Sequence, residues 1–271
     1  MKETYIGVDA GSTFCKVVVL DDGNYEYRKW SSLDLEAVSN YINKFVFARI
    51  ALTGGGARNL SEMLSHECLL VPESSAWGIG SLELAALSGS CVKQPYIVAS
   101  LGSGVLIVKV EDDVSQRIGG SSFGGSTLSA LISLSTGVDE YSEYCEIANE
   151  GNRENIDLFV SDVYPQGGFE VPGKITAQSL GKIVPNKRTA KPSDADVIAS
   201  LLTMFSENVS ILCTALAQNH GVNTICFGGS ILKNNSYLCS EIKKNMFLNG
   251  KQAVFFENSD YIGAIGSLKS L

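Results

Sequence analysis

The sequence predicts an α/β protein of two lobes with a ligand cleft between them. Three observations predict it. A strand, a glycine turn and a second strand occur around Gly11 and recur around Gly102. Apolar β-branched runs alternate with stretches of helical period, as in sheets covered by helices. The chain of 271 residues is 45% hydrophobic and 18% charged, enough to bury a core in each half.

Tyr5–Ala10 and Cys15–Leu20 are apolar runs separated by a turn-length spacer, so they form a hairpin. Tyr25–Trp30 alternates ring and charge and reads as a third, partly exposed strand. Leu33–Phe45 carries Leu35, Val38, Tyr41, Ile42 and Phe45 at helical spacing. Arg49–Thr53 is a strand entering Gly54-Gly55-Gly56, with a helix through Leu60 and Leu64 behind it. Cys68–Val71 is expected as a buried strand, and Pro72 opens a helix over Glu73–Leu87. Proline suits that place because a first helical turn has no use for its missing N–H.

The second half opens near Pro95, giving lobes of residues 1–92 and 93–271. Tyr96–Ser100, Val105–Val110 and Val114–Ile118 repeat the opening strand order, with helices expected at Thr127–Leu134 and Glu140–Glu150. Residues 151–192 are polar and punctuated by Pro and Gly, and read as an irregular excursion with short helices. Asp194–Asn219 is a long helix whose Ile198, Leu202 and Ile211 stand beside its main apolar row, more than one lobe needs, so it is expected to contribute to a dimer. Strand Thr224–Phe227, the turn Gly228-Gly229-Ser230, a helix, strand Ala253–Phe256 and helix Tyr261–Lys269 complete the order.

A formal charge of −8 and a pI near 4.9 argue against an electrostatic nucleic-acid binder. The seven cysteines are scattered, none forms a Cys-x-x-Cys pair, and only His66 and His220 could add imidazole. Neither a zinc site nor a disulfide framework is expected. The chain begins without a basic, apolar leader, and no apolar run reaches membrane-spanning length. The expectation is a soluble, cytoplasmic protein without a membrane partner.

Four glycine turns carry the chemistry. Asp9-Ala10-Gly11-Ser12-Thr13 with Lys16, and Gly102-Ser103-Gly104, are strand-to-strand turns whose backbone N–H groups could converge on phosphate oxygens. An ordinary hairpin explains either one alone; the pair in matching places is more specific. Asp9 could hold Mg²⁺ through water. Gly54-Gly55-Gly56 and Gly228-Gly229-Ser230 follow strands and precede expected helices, where free N–H groups meet an anion or a nucleoside. No Walker-type phosphate loop occurs.

Glu73 is either a first-turn capping acid or a general base for an attacking hydroxyl, with the small residues Ser74, Ser75 and Ala76 beside it. Arg117, at an expected strand end beside Gly119 and Gly120, is the cation of a glycine-rich stretch and would suit an acceptor carboxylate or carbonyl.

With these residues in place, the chain resembles the type II pantothenate kinases of the acetate and sugar kinase, Hsp70 and actin superfamily, over about residues 4–269. The resemblance is carried by Gly7–Thr13 with Lys16, Leu52-Thr53-Gly54-Gly55, Gly102–Val105, Arg117–Gly120, Gly151–Leu158 and Gly263–Gly266. It implies an actin-like ATPase fold with ribonuclease H-like lobes and phosphorylation of pantothenate by ATP with Mg²⁺. It also implies a homodimer, coenzyme A or an acyl-CoA as feedback ligand, and dimerisation and acceptor-binding insertions in the second lobe. By resemblance Glu73 is the catalytic carboxylate, with Asp9 beside it, and Arg117 holds pantothenate. Nucleotide contacts fall on Asp9 to Lys16, Ser103, Gly124, Gly125, Ser126, Tyr141, Gly229 and Ser230. The chain departs from the family at Ser74 and Ser75, and its glycine run is thinned to Ser121–Thr127. Alternatives are a related kinase for pantetheine or another hydroxylated acceptor, and a non-catalytic sensor of ATP or coenzyme A. An iron–sulfur activator ATPase is disfavoured because Gly119–Ser126 has no cysteine.

Overall fold

Continuous burial along most of Thr4–Ala10 (β1) and Phe14–Asp21 (β2), covered on both faces, builds the first hairpin, antiparallel from Tyr5↔Leu20 to Ala10↔Cys15. The computed structural model describes residues 3–89, 92–167, 172–183 and 192–271. Asn24–Ser31 (β3) extends the hairpin on one side, while Ala48–Thr53 (β4) and Cys68–Leu70 (β5) add parallel strands on the other, in the order β3-β2-β1-β4-β5. β5 corrects the expectation of a buried strand. It is a sheet edge, and Leu69 and Leu70 are 45% and 46% exposed. Leu35–Ile42 (α1), capped by the Asp34 carboxylate on the Ala37 N–H, and Ala57–Met63 (α2) cover one face.

Glu73–Leu87 (α3) leads to the second sheet: Tyr96–Leu101 (β6), Val105–Glu111 (β7) and Val114–Ser121 (β8). Gly125–Thr136 (α4) and Tyr141–Ile147 (α5) follow, the latter ending in a 3-10 turn to Glu150. The excursion is irregular as expected, but it also pairs Leu158–Phe159 (β9) with Thr176–Gln178 (β10), with Val160–Val163 (α6) between them. Its residues 168–171 and 184–191 lie outside the described residues, as does Cys91. Asp194–Asn219 (α7) starts in a capping box of Ser193 and Asp196 and ends at His220. Thr224–Gly228 (β11), Ser236–Leu248 (α8), Gln252–Phe255 (β12) and Ile262–Leu268 (α9) complete a sheet of order β12-β11-β6-β7-β8.

The two lobes are knitted by α3 and α9. Gly80 and Gly266 let these helices touch backbone to backbone: a Cβ on Gly80 would stand 1.9 Å from the Ile262 carbonyl oxygen, and one on Gly266 1.7 Å from that of Ala76. Trp77, Ile262 and Ile265 join Val98, Val108 and Val110 in the core between the sheets. On the far face of the second sheet, α4, α5, α7 and α8 bury Leu128, Ile132, Leu202, Phe205 and Ile242.

Two expectations meet the structure at α7. Against the expectation that no apolar run reaches membrane-spanning length, this helix is long and apolar enough to do so, yet most of it is buried as the central helix of this core. Ile198 and Leu202, expected to spill beyond one lobe's needs, are fully buried, and only Ile211 of that trio is exposed, at 63%. Above α7 the Gly151–Leu158 motif forms a buried polar knot. The Arg153 Nε donates to Asp157 at 2.8 Å and its Nη2 to the Thr176 hydroxyl at 2.6 Å, while Ser200 and the Leu180 amide also donate to Asp157.

Candidate active site

The carboxyl ends of β1 and β6 carry the two glycine turns, and they meet. The Ser12 hydroxyl lies 2.7 Å from the Ser103 hydroxyl, and that of Thr13 lies 2.8 Å from it. Each turn is tied internally: the Gly11 amide donates to the Phe14 carbonyl (3.1 Å), and the Gly102 amide to the Gly104 carbonyl (3.0 Å). Ser32, just past β3, braces the first by donating its amide to the Thr13 carbonyl (3.0 Å) and its hydroxyl to the Ser12 carbonyl (2.7 Å).

Around them opens a cleft of about 1110 Å³, a size that takes a nucleotide with a second small molecule. Asp9, Gly11, Ser12, Thr13, Lys16, Glu73, Gly102, Ser103, Gly104, Arg117, Gly125, Ser126, Tyr141, Gly229 and Ser230 all line it. The structure does not bring five other expected residues to the wall. Ala10 is buried and gives its carbonyl to the Gly56 amide (2.9 Å). Gly119 faces Leu216, Gly120 lies against Val105 beside the Arg117 guanidinium, and Gly124 packs on Ser103 and Gly104. Gly228 sits among Ile262, Ser259 and Trp77 between the lobes. These positions shape the wall from behind.

Asp9 and Lys16 face each other across β1 and β2 as a buried pair, 3.6 Å apart. Burial pushes the Asp9 carboxyl up, and the Lys16 charge opposes that. Among the described residues Lys16 is the only partner of this carboxylate, and the hydroxyl of Thr53, its register neighbour on β4, is buried without one. A carboxylate so short of donors fits a hydrated divalent cation.

Glu73 is the first residue of α3, after Pro72. Its carboxyl is pushed up by burial and by the Asp9 charge, and pulled back by Arg117 and Lys16. Arg117 stands in mid-strand, not at a strand end as expected, because β8 runs on to Ser121. A bulge positions it. Ile107 pairs with Gly119 but Val108 with Arg117, so Ile118 is the extra residue. Without the bulge Arg117 would share a face with Gly119 and Ser121, towards α4 and α7. With it, Arg117 joins the Val108 and Val110 face that α3 covers, the face of Glu73.

The fourth turn departs from expectation. Behind Gly228-Gly229-Ser230 comes a 3-10 turn, Ser230–Leu232, and α8 starts only at Ser236, because Asn234 takes a left-handed φ of 56°. Gly229 has φ 123°, and a Cβ there would lie 2.1 Å from the Leu101 carbonyl oxygen. The loop is pinned by the Tyr141 hydroxyl, shared between the carbonyls of Ile231 (2.7 Å) and Lys233 (2.8 Å). Tyr141 thus offers a ligand its ring rather than a free hydroxyl. Gly54 follows β4 in a left-handed turn, φ 89°, and Gly54-Gly55-Gly56 also lines the cleft.

Sequence reasoning misses Trp77, Lys29 and Lys233, all on the cleft wall. Trp77 lies one helical turn past Glu73. Lys29 pairs in register with Lys16, so a strand count from the first motif would have found it. For Lys233 no spacing gave a signal.

The model of the family described as Fumble matches residues 86–270. A type II pantothenate kinase of Staphylococcus saprophyticus is 29% identical to the chain over 263 residues, 97% of this chain and 98% of that protein. One of Staphylococcus aureus is 26% identical over the same shares. Among solved structures, the activator of 2-hydroxyisocaproyl-CoA dehydratase from Clostridium difficile, with bound ADPNP, superposes with a TM-score of 0.63 at 16% identity, covering 98% of this chain and 92% of its own. A glucokinase of the ROK family from Streptomyces griseus, in complex with glucose and AMPPNP, gives 0.60 at 11% identity and covers 98% of both chains. At such identities these two show the fold alone, which is the two-lobed actin-like fold expected from the sequence.

Proposed function

This chain belongs to the Fumble family, and from that membership we propose that it transfers the γ-phosphoryl group of ATP to pantothenate. The product is 4′-phosphopantothenate, and the reaction is the first step of coenzyme A synthesis. The observation that carries the reading is the meeting of two glycine turns, one per lobe, beside Glu73, Asp9 and Arg117 in one cleft.

The residues divide the work by position. The turns at Gly11 and Gly102 cradle the phosphates from both sides, with Lys16 supplying charge. Gly125, Ser126, the Tyr141 ring and the Gly229-Ser230 loop flank the nucleoside. Arg117, a cation without an ion pair among the described residues, takes the acceptor carboxylate. Glu73 then accepts the proton of the primary hydroxyl as the bond to phosphorus forms. Its raised pKa brings it closer to the working pH, which favours such a base.

We extend the reading to Mg²⁺, held by Asp9 through water, which would neutralise charge on the phosphoryl oxygens when bound. It extends likewise to a cytoplasmic homodimer with coenzyme A or its thioesters as feedback ligands, supported by the family resemblance and, for the dimer, by exposed Ile211.

Glu73→Gln tests the assignment. It keeps shape and removes the charge, so kcat at saturating MgATP and pantothenate should fall by roughly 10²–10⁴-fold. ATP binding should persist. A mutant within a few-fold of wild type would mean that Glu73 is a helix cap only.

A further inference from the structure

The charges of the cleft do not match those of the chain. The protein carries −8 formally, yet the cleft wall holds Lys16, Lys29, Arg117 and Lys233 against only Asp9 and Glu73. Lys16 is paired with Asp9, and Arg117 acts on Glu73. The cationic excess is therefore Lys29 and Lys233, one from each lobe.

Their surroundings fit an anion to be gripped. Lys29 stands on β3 across from Lys16, its ammonium 4.5 Å from the centre of the Phe14 ring. Among the described residues no carboxylate lies within ion-pair distance of it. Lys233 follows the Gly229-Ser230 turn and leans on the buried Asp260 at 3.5 Å, a long contact. The electrostatic neighbours of Lys29 are Asp260, Lys233 and Lys16, while those of Glu73 are Asp9, Arg117 and Lys16. The two groups share Lys16 alone, so the excess cations lie away from the acceptor end.

Lys16 and Lys233 each have one carboxylate partner, Asp9 and Asp260, and Lys29 has none within ion-pair distance among the described residues, so the three ammonium groups keep a net positive charge that an anion would relieve. A nucleotide polyphosphate is such an anion. We propose that Lys29 and Lys233 form a two-lobed clamp on the polyphosphate of the bound nucleotide. Asp260 serves as the counter-ion of Lys233 while the cleft is empty. This inference rests on the proposed nucleotide site and adds two residues to it.

Calorimetric titration of MgATP, with adenosine measured by competition, into wild type, Lys29→Met, Lys29→Arg and Lys233→Met tests it. A charge-assisted hydrogen bond to phosphate predicts that each methionine variant weakens ATP about tenfold or more. Adenosine affinity should stay within about twofold, Lys29→Arg should stay near wild type, and pantothenate KM should not move. Methionine variants that bind ATP like wild type, or that lose adenosine equally, would overturn the clamp and leave the kinase reading standing. So would a rise in pantothenate KM alone. A wild-type protein that fails to bind ATP at all would overturn both.

Discussion

At the scale of single residues the site works through contrast between neighbours. Asp9 and Glu73 both have raised carboxyl pKa values, and for both the first cause is burial. A carboxyl whose folded pKa lies above its unfolded one contributes stability below the unfolded pKa and loses it as pH rises through the folded one. At neutral pH these two groups therefore oppose folding, as expected where a site is arranged for chemistry. If Glu73 is the base, kcat should fall on acidification, with an apparent pKa above the ordinary glutamate value. A pH–rate profile checks this, and a flat profile across the glutamate range would contradict it. Arg117 makes a separate prediction. Arg117→Ala should raise the pantothenate KM by about tenfold or more, since an ion-assisted hydrogen bond is lost. The ATP KM should stay nearly unchanged, and a shift in the ATP value instead would reassign the residue.

At the scale of elements, the β8 bulge and the α3–α9 crossing place these groups. The bulge at Ile118 brings Arg117 to the face of Glu73, so Arg117 owes its place to a backbone irregularity and not to alternation. Sequence periodicity could not show this, because one extra residue in a strand leaves the apolar pattern intact. Helix α3 holds Glu73 at its first residue and Gly80 where it crosses α9. Gly80→Val would drive a side chain into the Ile262 carbonyl, and overpacking of this kind costs about 1–3 kcal/mol. Since the same crossing joins the lobes, the variant should lose activity along with melting temperature. A variant that melts like wild type would show that the helices separate freely.

Across the whole molecule, what the sequence revealed follows the range of the signal. The α3 and α7 boundaries and both hairpin turns rest on local chemistry: Pro72 before a helix, the Ser193 and Asp196 capping box, glycine between apolar runs. Exposure of β5 depends on its place at a sheet edge, and burial of Ile198 and Leu202 on four helices meeting over one sheet. Neither can be read from a window of residues. The same limit explains the site. Motif residues at the turns were legible and Lys29 lay within reach of a strand count, whereas Lys233 acquires meaning only when the lobes face each other. The product that the assembled cleft makes decides between acceptors. Incubation of the wild-type protein with ATP, Mg²⁺ and either pantothenate, pantetheine or a hexose, followed by mass spectrometry, measures it directly. A pantothenate kinase gives ADP only when pantothenate is present, with phosphorylated pantothenate in equal amount. Phosphate appearing on the hexose alone, or ATP consumed at the same rate with no acceptor, would contradict the assignment.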